Sequence, residues 1–285
     1  MSGGPDSLAL LVLAAEAFPG RVRAATVDHG LRPESADEAR YCADVCSRLD
    51  VPHRILTVEV ARGNLQSEAR SARYAALAAW AGDEAVEALL TGHHADDQAE
   101  TLLMRLNRGS GVAGLAGVRA TATVPGAELP LLRPLLGWRK SELEAVCATK
   151  GVNPVRDPSN LDERFDRVRV RKALADADWL DVAALAASAA NLADAAEVLE
   201  WVAAREVAER VERDGDMTTY RSPAPFAVQL RVLSSLVALH GNEPRDGALA
   251  RLMRSLEAGQ RGTIAGALIE RTGAGWRVQQ EPPRT

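Results

Sequence analysis

The sequence predicts an α/β fold: a doubly wound parallel sheet followed by a smaller, mainly helical domain. Three observations predict it. Short apolar strands alternate with amphipathic helices through the first half of the chain. Residues of functional type cluster just after three of those strands, where ligands of open parallel sheets bind. From about residue 176 the alternation stops and Ala-rich helical sequence takes over.

The opening stretch, SGGPDS at residues 2–7, runs without a spacer into LALLVLAAEAF, a helical pattern over residues 6–18. Asp6 and Ser7 stand where N-caps stand. A glycine-rich turn feeding a helix presents backbone N–H groups and the positive end of the helix dipole, which together favour an anion. The alternative is an unstructured chain start. The Walker pattern needs a lysine, and none is present here. A bound phosphate would therefore meet the loop of Ser2, Gly3, Gly4, Pro5, Asp6 and Ser7 through the backbone N–H groups that surround Pro5 and through the two serine hydroxyls.

The strand VRAATV follows and ends in DHG, where Asp28 is either a ligand or a plain turn residue. A helix over 34–50 leads to the strand HRILTVEV. A helix over 66–82 leads to the strand EALLT, and another helix spans 95–107. This topology puts Asp28, Asn64, Gln66, His93 and Asp97 on one rim. In GHHADDQAET, Asp97 and Glu100 are three apart and share a helix face, and Asp96 is four from Glu100. Carboxylates so close repel unless a cation, a metal or an arginine sits among them. Zinc is disfavoured, because His93 and His94 are adjacent and no cysteine is near. Magnesium with phosphate oxygens, or a cationic substrate, fits better. The alternative is acidic N-capping of the helix.

RGSG at 108–111 reads equally as a helix C-cap or as a loop closing on phosphates. A helix over 139–150 precedes RFDRVRVRK, whose Arg164, Arg167, Arg169, Arg171 and Lys172 form either an RNA-facing patch or a salt-bridged surface helix. Further helices fall at about 224–240 and 245–257, and GALIE and GWRVQ suggest a closing hairpin. The domains are thus 1–175 and 176–285.

Composition narrows the class. The 285 residues suffice for two domains, and the net charge is -5. Residues 176–216 hold 11 acidic and 3 basic side chains, a charge of -8, while residues 245–285 carry +3. The positive tail suits RNA phosphates or simply a solvated surface. The 3 cysteines, Cys42, Cys46 and Cys147, form no framework. No apolar run of the roughly 18–20 residues of a membrane span is legible, and no leader is seen. These features point to a cytoplasmic protein with no membrane partner.

SGGPDS, VDHGLRPES, NLQSEARSARY, TGHHADDQAET, RLNRGSGVAGLAG, RPLLG and DPSNLDERFDRVRVR occur in this order over residues 2–172. Together they resemble the tRNA(Ile)-lysidine synthetases of the N-type ATP pyrophosphatase group. The resemblance implies an enzyme, a carbon–nitrogen ligase that joins free lysine to the wobble cytidine of the CAU-anticodon isoleucine tRNA. ATP would adenylate the cytidine and release pyrophosphate, and lysine would then displace AMP. The implied cofactors are ATP and Mg2+, with Asp6 as the metal residue and Asp28 helping to orient the nucleotide. His93, Asp97, Glu100 and Arg73 are the implied residues around lysine and the adenylated base, and a homodimer is consistent with the family. Residues 176–285 would be the tRNA-binding, substrate domain.

Two departures are visible. The family has an apolar strand before SGG, so the sheet is expected to lack its first strand here and the loop to lack an anchor on one side. Val168 stands where the family has Asn. Other readings are a related tRNA thiolase, which needs reactive cysteines or an iron–sulfur site, an inactive tRNA-binding remnant, and an amidating ATP pyrophosphatase acting on a small molecule.

Overall fold

A computed structural model describes residues 1–30, 35–58, 65–155, 162 and 164–282. The described chain divides into two compact units: Met1–Met104 with Val118–Ser188, and Arg105–Gly117 with Ala189–Thr285. The change of character near residue 175 coincides with the end of a helix at Asp176, whereas compactness places the division further on, after Ser188.

The first unit opens with α1 (Pro5–Ala17). Gly4 is its extended N-cap, Pro5 takes the first helical position and Asp6 lies in the first turn. Proline's fixed φ and missing N–H suit that position, and a carboxylate there meets the positive end of the helix. Leu8, Leu11 and Val12 recur at helical spacing and are buried. They pack with Val45, Cys46, Leu143 and Cys147 of α2 (Ser35–Arg48) and α6 (Lys140–Thr149). Full burial of each such aliphatic side chain is worth roughly 1.5–3 kcal/mol.

β1 (Ala24–Asp28) runs parallel to β2 (His53–Thr57), with Ala24 opposite His53 and Asp28 opposite Thr57. Ala24, Ala25 and Thr26 are buried in succession, as expected of a strand covered on both faces. After α3 (Leu65–Asp83), β3 (Leu89–Leu90) runs parallel to β5 (Pro130–Leu132), and β4 (Thr121–Thr123) lies antiparallel on β5's other side. Between them are α4 (Ala95–Leu106) and the single turn α5 (Val112–Leu115). The parallel pairs and the alternation match the expected fold. β4 and β5 lie in stretches that carry too little alternation to read as strands.

The loop at residues 1–4 is anchored by backbone hydrogen bonds. The Met1 nitrogen donates to the Ala25 carbonyl of β1, and Val155 N donates to Gly3 O at 2.9 Å. The loop therefore has backbone partners at Met1 and Gly3. α7 (Asp166–Asp176) completes the first unit's basic helix.

α8 (Val182–Arg210) spans 29 residues and is long and apolar enough to cross a membrane by length and composition, contrary to the sequence expectation. Its apolarity is mostly alanine, and Asp194, Glu197 and Glu200 interrupt it. The C-terminal region is helical as expected, with α9 (Phe226–His240) and α10 (Asp246–Ser255). It also carries a five-stranded antiparallel sheet in the order β6 (Val211–Asp214), β7 (Met217–Tyr220), β10 (Trp276–Gln280), β9 (Ala267–Arg271), β8 (Arg261–Ile264). The sequence shows only the last of this as a hairpin. Val232, Leu233, Leu236, Leu249, Ile269 and Val278 form the core between α9, α10 and the sheet.

Candidate active site

Three segments meet at the carboxyl ends of the parallel strands: the loop before α1, the turn after β3, and the start of α4. The loop is shaped by Gly3, at φ +74°. A Cβ there would press on Val155 Cγ2 at 3.2 Å and meet Cys42 Sγ at 3.5 Å. Ser2 N and Ser2 Oγ both donate to Ser7 Oγ, at 3.3 and 3.2 Å, and Ser7 Oγ donates to Gly4 O at 3.1 Å. The two hydroxyls expected to face a phosphate are thus tied to each other across the loop. The first amides of α1 have no intrahelical carbonyl to bond, which leaves a donor-rich concavity.

Gly92 brings the second segment against the first. Its hypothetical Cβ would stand 2.7 Å from the Asp6 carbonyl oxygen, so only glycine permits this approach. The consequence is a cluster around His94, which is 3% exposed. His94 Nε2 lies 3.5 Å from Asp6 Oδ1 and 3.6 Å from Asp97 Oδ2, and Nδ1 lies 3.6 Å from Asp96 Oδ2. These are ion pairs rather than hydrogen bonds: Asp6 Oδ1 and His94 Nδ1 are buried without a hydrogen-bond partner. Burial alone would lower the His94 pKa, but Asp6, Asp96 and Asp97 outweigh it and push it up to about 9. An imidazolium therefore sits among the carboxylates at neutral pH.

The three carboxylates that look like one cluster in the sequence have separate partners. Asp97 Oδ2 accepts the His94 backbone N–H at 3.2 Å, capping α4. Asp96 turns to α6, where Lys140 N donates at 2.8 Å and the Arg139 guanidinium at 3.2 and 3.3 Å. Those donors and His94 overcome burial and hold its carboxyl well below the usual range. Glu100, 1% exposed, accepts Arg171 Nε at 2.6 Å and pairs with Arg167 Nε at 3.1 Å. Gln98 is buried and clamps Val118 through both its amide atoms, at 2.8 and 2.7 Å. Arginines do offset the acids: Arg139 at the start of α6 beside Asp96, and Arg167 and Arg171 of α7 beside Glu100.

His93 faces a different company. Its Nδ1 lies 3.1 Å from Thr91 Oγ1. Burial, and the nearby charges of Arg133, Arg167 and Arg70, hold its imidazole well below the usual histidine range against the opposing pull of Asp97. It is a neutral base beside a charged His94. Arg73 stands over the Tyr74 ring at 5.3 Å, and its charge is felt at His29. Asp28 Oδ1 accepts from Gly30 N at 2.9 Å and Ser35 Oγ at 2.7 Å, bonds that lower its pKa. The turn reading of DHG is therefore realised in its geometry. Asn64 and the Gln66 side chain lie outside the described residues.

Sequence reasoning gave His94 no role, and read Arg167 and Arg171 either as part of an RNA-facing patch or as part of a salt-bridged surface helix; their ion pairs with Glu100, and those of Arg164 with Asp162 and Arg169 with Asp166, fit the second reading. The signal for His94 was the doublet itself: adjacent residues at a strand exit face opposite sides. Gly109, at φ +65°, closes α4 with Ser110 N bonded to Arg105 O at 3.0 Å, the C-cap alternative for RGSG.

Among the described residues no three His, Cys, Asp or Glu side chains form a metal-ligand set. Cys42, Cys46 and Cys147 are free and buried. Burial pushes the Cys46 thiol up to about 11 and raises the other two, the reverse of an activated thiolate.

Comparison with known proteins gives a consistent picture. The PP-loop domain profile matches residues 1–177. The tRNA(Ile)-lysidine synthase of Novosphingobium aromaticivorans is 46% identical over 99% of this chain and 88% of that relative. The enzyme of the same name from Zymomonas mobilis is 43% identical over 100% and 88%, and that from Methylobacterium nodulans 42% over 100% and 90%. Among solved structures, the U34-tRNA thiolase NcsA from Methanococcus maripaludis superposes with a TM-score of 0.55 at 18% identity, covering 67% of each chain, a likeness of fold. With the PP-loop profile over residues 1–177 and these relatives 42–46% identical over 88–90% of their length, the chain belongs to the tRNA(Ile)-lysidine synthase family.

Proposed function

We propose that the protein is an ATP-dependent ligase that joins free lysine to the wobble cytidine of the CAU-anticodon isoleucine tRNA, in the cytoplasm. The observation that carries this reading is the meeting of Asp6, from the phosphate loop, with His94 and Asp97, from the second motif, at 3.5–3.6 Å.

In the first step the cytosine ring oxygen attacks the α-phosphorus of ATP, and the bond to pyrophosphate breaks. The amides of the Ser2–Ser7 loop and the N-terminus of α1 stabilise the charge that develops on the leaving group. Asp6, with its orphaned buried oxygen, fits Mg2+ held by one carboxylate and phosphate oxygens. Bound there, the ion would neutralise the polyphosphate. Asp28, at the end of β1, and Arg73, on α3, would orient the nucleotide.

In the second step the ε-amine of lysine attacks the activated ring carbon, and AMP leaves with the oxygen. At a pKa of about 10.4 only about one lysine amine in 10³ is neutral at pH 7. Asp97 holds the ammonium, and neutral His93 is suited to take its proton. His94 keeps Asp6 and Asp97 from repelling one another. Glu100 fixes Arg167 and Arg171 and offsets part of their positive charge, which would otherwise oppose the ammonium.

The test is incubation with ATP, Mg2+, lysine and CAU-anticodon isoleucine tRNA, followed by mass analysis of the wobble base. A base heavier by one lysine less water is expected. Pyrophosphate release that needs tRNA but yields no such base would overturn the reading.

A further inference from the structure

The two chemical steps make no use of Asp96, yet its carboxylate accepts three hydrogen bonds from the start of α6. Arg139 is the extended N-cap of that helix, at φ -82° and ψ 149°. A guanidinium has no acceptor, so this cap cannot satisfy the orphan amides of its own helix. Asp96 supplies an acceptor from α4. Its Oδ2 takes Lys140 N–H at 2.8 Å and Arg139 Nε at 3.3 Å, and its Oδ1 takes Arg139 Nη2 at 3.2 Å. In return Ala95 N, at the first residue of α4, donates to Trp138 O at 2.8 Å. The starts of α4 and α6 are thus bonded to each other through both backbone and side chain. α6 also packs Leu143 and Cys147 with Leu8 and Val12 of α1, and Cys147 Sγ donates to Pro5 O at 3.5 Å. The helix that grips Asp96 therefore rests on the helix that follows the phosphate loop.

The same carboxylate lies on one side of the buried His94 ring. Nδ1 is 3.6 Å from Asp96 Oδ2, whereas Nε2 is 3.5 Å from Asp6 Oδ1 and 3.6 Å from Asp97 Oδ2. Nδ1 has no hydrogen-bond partner, so charge rather than a bond fixes how the ring lies. A half-turn about Cβ–Cγ would put Cδ2 beside Asp96 and Cε1 between Asp6 and Asp97, exchanging both nitrogens for carbons. Asp6 and Asp97 pull on Nε2, and Asp96 holds the opposite nitrogen. It can do so only while its own carboxylate stays in place, and the start of α6 keeps it there. The arrangement has the logic of a carboxylate that orients an imidazole from behind while the other nitrogen faces the chemistry.

We infer that Asp96 is a positioning residue: locked by Arg139 and the Lys140 amide, it holds His94 with Nε2 between Asp6 at the nucleotide end of the site and Asp97 at the amine end. This rests on the reading of the cluster as the ligation site. Asp96 touches no reacting group in that reading, and it acts through His94.

The experiment measures lysine attached to the isoleucine tRNA by the full-length protein with ATP and Mg2+, giving kcat and the KM values for ATP and lysine, alongside the melting temperature. Asp96→Ala removes acceptor and charge together, and should lower both the melting temperature and kcat, the latter by about tenfold or more. Asp96→Asn restores an acceptor for Lys140 N–H without the charge. It should recover most of the lost melting temperature but not the turnover, with both KM values within about twofold of wild type. A purely structural role would instead return turnover with stability. The pair Arg139→Met and Lys140→Pro removes the three hydrogen bonds from the other side. Proline is tolerated at a first helical position, and Arg139 already has the extended backbone that a residue before proline needs. This pair should lower kcat by about threefold or more at constant KM. In a His94→Gln background, Asp96→Asn should cost less than about twofold, because the group it positions is gone. If His94→Gln does not fold, the other variants decide. Asp96→Asn protein that turns over like wild type overturns the inference, and so do losses from Asp96→Asn and His94→Gln that multiply independently. Wild-type protein that attaches no lysine overturns the inference and the ligation reading together. Lysine attachment that Asp96→Asn leaves unmoved overturns the inference alone.

Discussion

The buried carboxylate of Glu100 is forked by the Arg171 guanidinium, with Nε 2.6 Å from Oε1 and Nη2 3.3 Å from Oε2. This bond ties α4, which carries Asp97, to α7, which carries the basic run. A carboxylate 1% exposed needs such partners, because an unpaired buried charge is strongly destabilising. Glu100→Gln keeps the shape and removes the charge. The two arginines are each more than a third exposed and recover much of their hydration, so the expected loss is moderate, about 1.5–3 kcal/mol. It should appear as a lower melting temperature. Titrations should show the apparent lysine affinity falling far more than that for ATP. Unchanged stability and unchanged lysine use would remove Glu100 from the site.

Asp6→Ala should abolish pyrophosphate release while tRNA binding stays nearly intact. The side chain meets His94 and leaves one oxygen without a hydrogen-bond donor, so its effect is local to the nucleotide end of the site. Pyrophosphate release and tRNA binding are measured on the same preparation. Near-normal turnover would show that the loop holds phosphate without this carboxylate, or not at all.

Much of this was legible from pattern. Helices α1, α2, α3 and α4 announce themselves by apolar spacing, and the parallel topology follows from their alternation with strands. Topology alone brings Asp28, His93 and Asp97 just beyond the ends of β1 and β3. What stayed hidden depends on contacts between distant segments. Nothing in the spacing of Asp96, Asp97 and Glu100 says that one bonds α6, one bonds His94 and one bonds α7. That sorting is made by tertiary approach, above all at Gly92. β4 and β5 were hidden for a different reason. Each is 3 residues long, too short to display a period of two. The C-terminal sheet is built from strands of 4–5 residues, several of them polar as in VERD and MTTY, and the pairing that joins its two hairpin regions, β7 with β10, brings together segments far apart in sequence.

The second unit contains a titration that should mark its unfolding. Tyr220 is 1% exposed and donates its hydroxyl to Glu206 Oε2 at 2.8 Å. Burial, reinforced by the Glu206 carboxylate, pushes its pKa up to about 12. An unfolded tyrosine titrates near 10. The folded state therefore holds the phenol's proton longer than the unfolded state does. Its contribution is fully present below about pH 10 and is lost as pH rises to about 12, by on the order of 2 kcal/mol. Tyr220→Phe should lose about 1 kcal/mol at neutral pH for the missing hydrogen bond, yet show a flatter decline of melting temperature between pH 10 and 12. Parallel declines for the two proteins would assign the alkaline loss to other groups.

The most local test of the site is a single methyl group. Gly92 carries the turn after β3 past α1, and a Cβ there would stand 2.7 Å from the Asp6 carbonyl oxygen and 2.9 Å from its carbonyl carbon. Both contacts are to backbone, so no side chain can rotate away. Gly92→Ala must therefore push the turn and the phosphate loop apart, at a cost of about 1–3 kcal/mol. The same movement lengthens the 3.5 Å approach of His94 to Asp6. Both the melting temperature and its rise on adding ATP with Mg2+ should fall. Gly82→Ala is the control. Gly82 lies in α3 with nothing within 4 Å of its hypothetical Cβ. Alanine there should stabilise by about 0.5–1 kcal/mol through helix propensity and leave the ATP-induced shift unchanged. If Gly92→Ala melts like wild type and keeps the full ATP shift, the close approach of these two segments is not what assembles the site.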